Sequence, residues 1–221
     1  MTETSADAVF ARMARRRPRR VVLLAGAGAD SAALLVELLR RGFETHPLYV
    51  RSGLRWEAAE LHWLKRLLTR LAGPRLRPLT VMDAPILPVL PRRHWSVSGA
   101  VPDWDSPDRS VGLPARNLTL AATAGLLCGA RRASWIATAI LKGNPFPDAR
   151  PRALRAAAAA IGLALDRRVG IAAPYARLGK AQVRARVPET PWELTFSCLS
   201  PRGLRACGGC NKCAERARAG F

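Results

Sequence analysis

Short apolar runs alternate along this chain with segments of helical periodicity, and no other feature restricts its fold as strongly. Residues 21–25 (VVLLA) read as a first strand, 31–41 as a helix stopped by Gly42, and 46–50 as a second strand. The alternation continues with a helix over 57–71, a strand over 79–82, a helix over 116–129, a strand over 134–138, a helix over 153–161 and a strand over 169–173. Parallel neighbours need long crossovers, and helices of this length supply them. The pattern therefore predicts an α/β fold, a Rossmann-like parallel sheet with helices on its faces. Residues 83–114, rich in Pro, Asp, Ser and Gly, are predicted to form a long functional loop.

Of the 221 residues 49% are apolar and 24% charged, so the chain can bury a core and is not a disordered tail. Its 36 Lys and Arg exceed its 16 Asp and Glu, a net charge of +20. Such an excess invites phosphate backbones as partners, but only residues 15–20 (RRRPRR) form a dense run, and dispersed charge is more often a solvated surface. That run and the apolar stretch after it imitate a secretory leader until Asp30 breaks the pattern and a helical segment follows. The longest apolar stretch, 118–130, is too short to cross a membrane and reads as a buried helix. A cytoplasmic protein without a membrane partner is expected.

Between the first strand and first helix lie Gly26, Ala27, Gly28, Ala29, Asp30 and Ser31. Small residues before a helix let backbone N–H groups and the helix dipole reach an anion. A Walker loop is excluded because no Lys is near. The dinucleotide fingerprint fits poorly, with Ser31 at its last glycine position and Arg51 after the second strand, so a nicotinamide-dependent oxidoreductase is a third-rank reading. The loop of the N-type ATP pyrophosphatases, Ser-Gly-Gly-x-Asp-Ser, matches at Gly28, Asp30 and Ser31 and departs at Gly26 and Ala27. A plain strand-to-helix turn with Asp30 or Ser31 as N-cap is the alternative.

The tail carries Cys198, Cys207, Cys210 and Cys213, with Gly208 and Gly209 inside the first of two tight turns. Four thiolates at this spacing fit a structural zinc site with every position filled. Disulfides and a redox Cys-x-x-Cys pair are the competing readings, and the latter needs neither Cys198 nor Cys207. Arg205, Lys212 and Arg216 lie near enough in sequence to offset the thiolate charge. Cys128 reads as core; His46, His62 and His94 have no recognisable partners.

Together the loop and the tail resemble the 7-cyano-7-deazaguanine synthases of queuosine biosynthesis, a family of the N-type ATP pyrophosphatase superfamily. Intermediate landmarks fall in order. Leu113-Pro114-Ala115-Arg116-Asn117 is similar to the family's Val-Pro-Gly-Arg-Asn, and Phe146-Pro147-Asp148-Ala149-Arg150 to its Tyr-Pro-Asp-Cys-Arg. Ala173-Pro174 with Gly179-Lys180-Ala181, and Leu194-Thr195-Phe196-Ser197-Cys198, resemble two further segments. The resemblance implies an adenine-nucleotide α-hydrolase-like fold and an ATP-dependent ligase. That enzyme adenylates 7-carboxy-7-deazaguanine or a related acid and uses ammonia to form an amide and then a nitrile. It places ATP phosphates on residues 26–31 and Mg2+ on Asp30, with Arg116, Asn117, Asp148 and Lys180 lining the nucleotide or substrate cleft. Arg116 and Asn117 read equally as a helix start, and Lys180 as a solvated charge.

Three units are expected: a basic arm over 1–20, an ATP pyrophosphatase-like domain over 21–190 and a zinc-binding tail over 191–221. The expected partners are ATP, ammonia and a small carboxylate, with possible RNA contact through the arm and a possible homodimer. Two departures bear on activity. The family's acidic stretch before its Tyr-Pro-Asp is replaced by residues 139–145 (AILKGNP), and its His-containing segment after the second strand by 51–56 (RSGLRW). The alternative is therefore a divergent paralogue with a degenerate ATP loop, acting as a pseudoenzyme or an RNA-associated binding protein.

Overall fold

A computed structural model describes residues 6–220. Five parallel strands form one sheet in the order β3-β2-β1-β4-β5: β1 (Arg20–Leu24), β2 (Glu44–Arg51), β3 (Thr80–Asp83), β4 (Trp135–Ala137) and β5 (Gly170–Ala172). Helices connect them: α1 (Ala6–Ala14), α2 (Ala29–Arg40), α3 (Glu57–Arg70), α4 (Trp95–Ser98), α5 (Arg116–Arg131), α6 (Pro151–Ala164), α7 (Lys180–Arg186) and α8 (Asn211–Arg218). The expected Rossmann-like α/β class is what forms, and the chain order reverses between β1 and β4, the switch point at which such sheets open a crevice.

Successive side chains of β1 serve two cores, which is why its sequence is apolar from Val21 to Leu24. Val21 and Leu23 point to one face, with Phe10 and Met13 of α1, Leu34, Leu35 and Leu38 of α2, Leu64 and Leu67 of α3, and Val183 of α7. Val22 points to the other, with Ala124, Leu127 and Cys128 of α5 and Ile136 of β4, and Ile161 of α6 packs against them. Cys128 is core, as expected. Gly170 has a packing reason: a Cβ there would lie 2.2 Å from the Trp135 ring.

Over the described part of the basic arm expected at 1–20 the chain forms α1 and enters β1 at Arg20; residues 1–5 lie outside the described residues. Helix α1 buries Val9, Phe10 and Met13, and an aromatic residue such as Phe10 buries enough area to dock a helix of this size. Arg16 lies 4.3 Å above the Trp135 ring and donates to the Ser134 carbonyl at 3.2 Å, while Arg20 belongs to β1. On α2 the fully buried Glu37 accepts from Tyr175 (2.8 Å) and from the Arg186 guanidinium (2.8–3.0 Å). Arg186 also reaches Asp7 of α1, so a buried charge is paired and helps hold α1 in place.

The tail packs into the same core. Phe196, Leu199, Cys198, Cys210 and Cys213 belong to the first core, Phe196 stacks on Trp63 of α3, and the Trp63 indole donates to the Leu204 carbonyl at 2.9 Å. Residues 83–114 form an ordered excursion: Trp95 of α4 stacks on Trp56 at 5.8 Å and donates to the Gly112 carbonyl.

Candidate active site and four-cysteine centre

At the carboxyl ends of β1, β2 and β4 a cleft of about 280 Å3 opens between Gly26, Gly28, Asp30 and Ser31 on one side and Arg116, Asn117 and Thr138 on the other. Ser31 ties the loop shut, accepting from the Gly26 N–H (3.1 Å) and donating to the Leu24 carbonyl (3.4 Å). Gly28 is the N-cap of α2 and no side chain caps the helix, so its first-turn N–H groups remain available to an anion. Neither Asp30 nor Ser31 is the N-cap. Ala27 and Ala29 are buried beneath the loop, where Ala27 accepts from the Phe196 N–H at 2.7 Å. The tail thereby pins the loop from behind.

The residues assigned to the cleft divide. Arg116 and Asn117 line it, whereas Asp148 does not: one Asp148 oxygen accepts from the Asn117 backbone N–H at 2.8 Å, the other from its side-chain amide at 2.9 Å. Asp148 caps α5 from 31 residues away, where a carboxylate also opposes the helix dipole. Ala115, the residue before α5, has a left-handed backbone with φ of 53°. That conformation strains any residue with a Cβ, so Ala115→Gly is expected to stabilise the fold by about 1 kcal/mol in urea unfolding, without displacing Arg116.

Lys180, the first residue of α7, sits beside the loop rather than in solvent. Its ammonium lies 2.7 Å from Asp30 and 2.9 Å from Glu215 of α8. Glu215 in turn binds Lys212 at 2.6 Å, and Lys212 reaches Asp108 at 3.3 Å. Five alternating charges thus run from the loop through α7 and the tail to the long excursion. Burial pushes the Asp30 carboxyl up against the opposing pull of Lys180. Burial likewise opposes the Lys180 charge, but Asp30 and Glu215 outweigh it and the ammonium is held above its ordinary value.

Two cleft groups escaped the sequence reading. Glu60 of α3 lies behind Gly26, accepts from the Tyr49 hydroxyl at 2.9 Å and faces Arg116; burial pushes its carboxyl up, while Arg116 and that hydrogen bond pull it down. A Cβ on Gly26 would lie 2.8 Å from Glu60 Oε1. The only trace in the sequence is a second acidic residue in the first turn of α3, indistinguishable there from a solvated charge.

The four cysteines converge, with all four sulfurs within 4.8 Å of one another. Cys210 and Cys213 are 3.5 Å apart and Cys207 and Cys213 3.9 Å, against about 3.8 Å for the edge of a tetrahedron with zinc–sulfur bonds of about 2.3 Å. Backbone N–H groups of Leu199 and Cys207 donate to Cys210 and Cys198, the support metal thiolates require. The hydrogen bond from Cys198 holds the Cys210 thiol below its ordinary value. The set fits a divalent soft metal such as zinc. Cys210 is also the N-cap of α8 and bridges Asp103, and Asn211 donates to the carbonyls of Pro102 and Ser106, so the centre anchors the long excursion.

Fold and site together define an α/β protein with a small-residue loop and an uncapped helix N-terminus at the switch point of its sheet, and a four-thiol centre in the tail that packs behind that loop. A family model described as queuosine biosynthesis protein QueC matches residues 19–221, and the chain belongs to that family. The 7-cyano-7-deazaguanine synthase of Anaeromyxobacter sp. (strain Fw109-5) is 34% identical over 95% of this chain and 94% of its own length. The enzyme of that name from Frankia casuarinae is 31% identical over 91% and 89%, and that from Caldicellulosiruptor bescii 28% over 91% of each. No helix among the described residues is long and apolar enough to cross a membrane.

Proposed function

We propose that this chain is an ATP-dependent ligase of the 7-cyano-7-deazaguanine synthase type, acting on 7-carboxy-7-deazaguanine or a closely related acid. The observation that carries the reading is the uncapped N-terminus of α2 opening into the cleft beside Asp30 and Arg116. ATP supplies activation of the acid by adenylation with loss of pyrophosphate, ammonia then displaces AMP to give the amide, and a second ATP activates the amide oxygen, which leaves with AMP as the nitrile forms. The backbone from Gly26 to Ser31 is suited to hold the departing pyrophosphate, and Arg116 to balance its charge. Asp30 supplies the single carboxylate that Mg2+ needs when phosphates complete its shell.

A second cavity of about 280 Å3 adjoins the cleft and shares Asp30, Ala139 and Asn144 with it. We place the acid there, against Phe146 and Lys142, so that its carboxylate meets the nucleotide beside Asp30. Residues 139–145 contain no acid, but Asp108 from the excursion and Glu215 from the tail line this cavity. They are positioned to read the donor edge of a guanine-like ring in place of the family's acidic stretch.

Incubation with ATP, ammonia and 7-carboxy-7-deazaguanine is expected to yield AMP, pyrophosphate, amide and nitrile by mass; absence of AMP with every deazaguanine acid overturns the reading. ATP binding without AMP would instead favour the pseudoenzyme, for which the pairing of Asp30 with Lys180 is the supporting observation. Restoring the family residue by Gly26→Ser is expected to fail, because the new side chain displaces Glu60. A loss of about 1–2 kcal/mol in thermal unfolding, with no gain in AMP formation, is the expected outcome.

A further inference from the structure

The end of the sheet opposite the cleft gathers six arginines that the functional reading leaves unused. Two grooves of about 550 Å3 each adjoin there, at the amino ends of β1 and β3 and the carboxyl ends of α5 and α6. Arg20, Arg77, Arg131 and Arg132 line one; Arg17, Arg20, Arg132 and Arg167 line the other. The acids present are Glu44 and Asp166. Glu44 is already shared among Arg20 (3.3 Å), Arg77 (3.1 Å) and His46 (3.2 Å), while no carboxylate among the described residues pairs with Arg17, Arg131, Arg132 or Arg167.

Basic residues at helix carboxyl ends ordinarily answer the helix dipole, and Arg167 does reach the Cys128 carbonyl at 3.4 Å. The magnitudes do not close on that explanation. Six guanidinium groups face two carboxylates and two helix ends worth about half a charge each, leaving about three charges unbalanced. Arg131 and Arg132 are exposed, and Arg132 keeps a left-handed backbone (φ 52°) where glycine is the relaxed choice.

We propose that these paired grooves bind the phosphodiester backbone of a nucleic acid. Arginine forks match phosphate oxygens in pairs, and two grooves sharing Arg20 and Arg132 present them in a continuous track rather than as a single anion pocket. The surface is remote from the cleft, so it neither requires nor supports the ligase reading.

The test is fluorescence anisotropy of the full chain with short labelled RNA and DNA, single- and double-stranded, titrated over salt. Binding of at least one of the four is expected to fall log-linearly with salt, and the comparison among them identifies the source of the backbone. Arg77→Gln with Arg131→Gln should weaken it at least about tenfold and reduce the salt slope by about two, with AMP formation unchanged. The control pair Arg152→Gln with Arg155→Gln, exposed on α6 at its other end, should leave both affinity and slope unaltered. Circular dichroism confirms that each variant is folded; should the first pair unfold, Arg131→Gln alone, with a slope change of about one, replaces it. Equal losses in the two pairs, salt-independent binding, or equal affinity for polyglutamate or anionic vesicles overturns the proposal.

Discussion

Cys210→Ser is expected to abolish metal binding, from one zinc per chain to none by elemental analysis, and to lower the melting temperature by at least about 10 °C. Structural zinc contributes about 10–16 kcal/mol to the folding of small zinc modules, and even a third of that is about 10 °C or more in a domain of this size. The loss does not stay local. Cys210 precedes α8 and Cys213 lies within it, α8 carries Lys212 and Glu215, and the same tail delivers the Phe196 N–H to the Ala27 carbonyl behind the loop before α2. AMP formation should therefore disappear together with the metal, although no cysteine lines the cleft. Cys128→Ser is the matched control. It alters a buried thiol in the other core and should cost about 1–3 kcal/mol while leaving zinc content at one per chain. Equal metal loss in both variants, or full activity in metal-free Cys210→Ser, would show that the centre does not act as the clamp described.

Local signals carried the fold, whereas the site depends on contacts between distant parts of the chain. The β/α alternation, the Gly42 stop (φ 78°) and the cysteine spacing are each written within a few residues, and the observed elements follow them. Asp148 resembled a cleft residue because its neighbours match a family landmark; its pairing with Asn117 across 31 residues decides otherwise. Lys180 read equally as a solvated charge, and only the approach of α7 to the loop and of α8 to α7 makes it the centre of an ion network. The basic run at 15–20 misled in the opposite sense. Density of charge suggested a basic arm with possible RNA contact, but Trp135 offers Arg16 a ring to stack on, and Phe10 docks the preceding helix.

Lys180→Met is the second variant of large expected effect, since it removes the cation between Asp30 and Glu215 and leaves two carboxylates facing each other in partly buried positions. Breaking such a pair by deleting one partner costs about 3–5 kcal/mol, discounted here toward about 2–3 because both ends of the Lys180–Asp30 pair keep about a fifth of their surface. The pH dependence separates this cause from lost packing. Asp30 has a folded-state value already raised above the unfolded 3.8, so its contribution to stability is full in acid and is lost as pH rises through the folded value. Without Lys180 that value climbs further, and Glu215, held low by Lys180 and Lys212 against its burial, climbs with it. The stability difference between wild type and variant should accordingly be smallest in acid, where the carboxyls become protonated in both states, and should widen toward neutrality. A difference that is the same at every pH would assign the loss to packing of the lysine stem. On the proposed reading, in which Asp30 holds Mg2+, a carboxyl pushed further up without Lys180 binds the ion less well, so AMP formation should fall at pH 7 and recover in part as pH is raised.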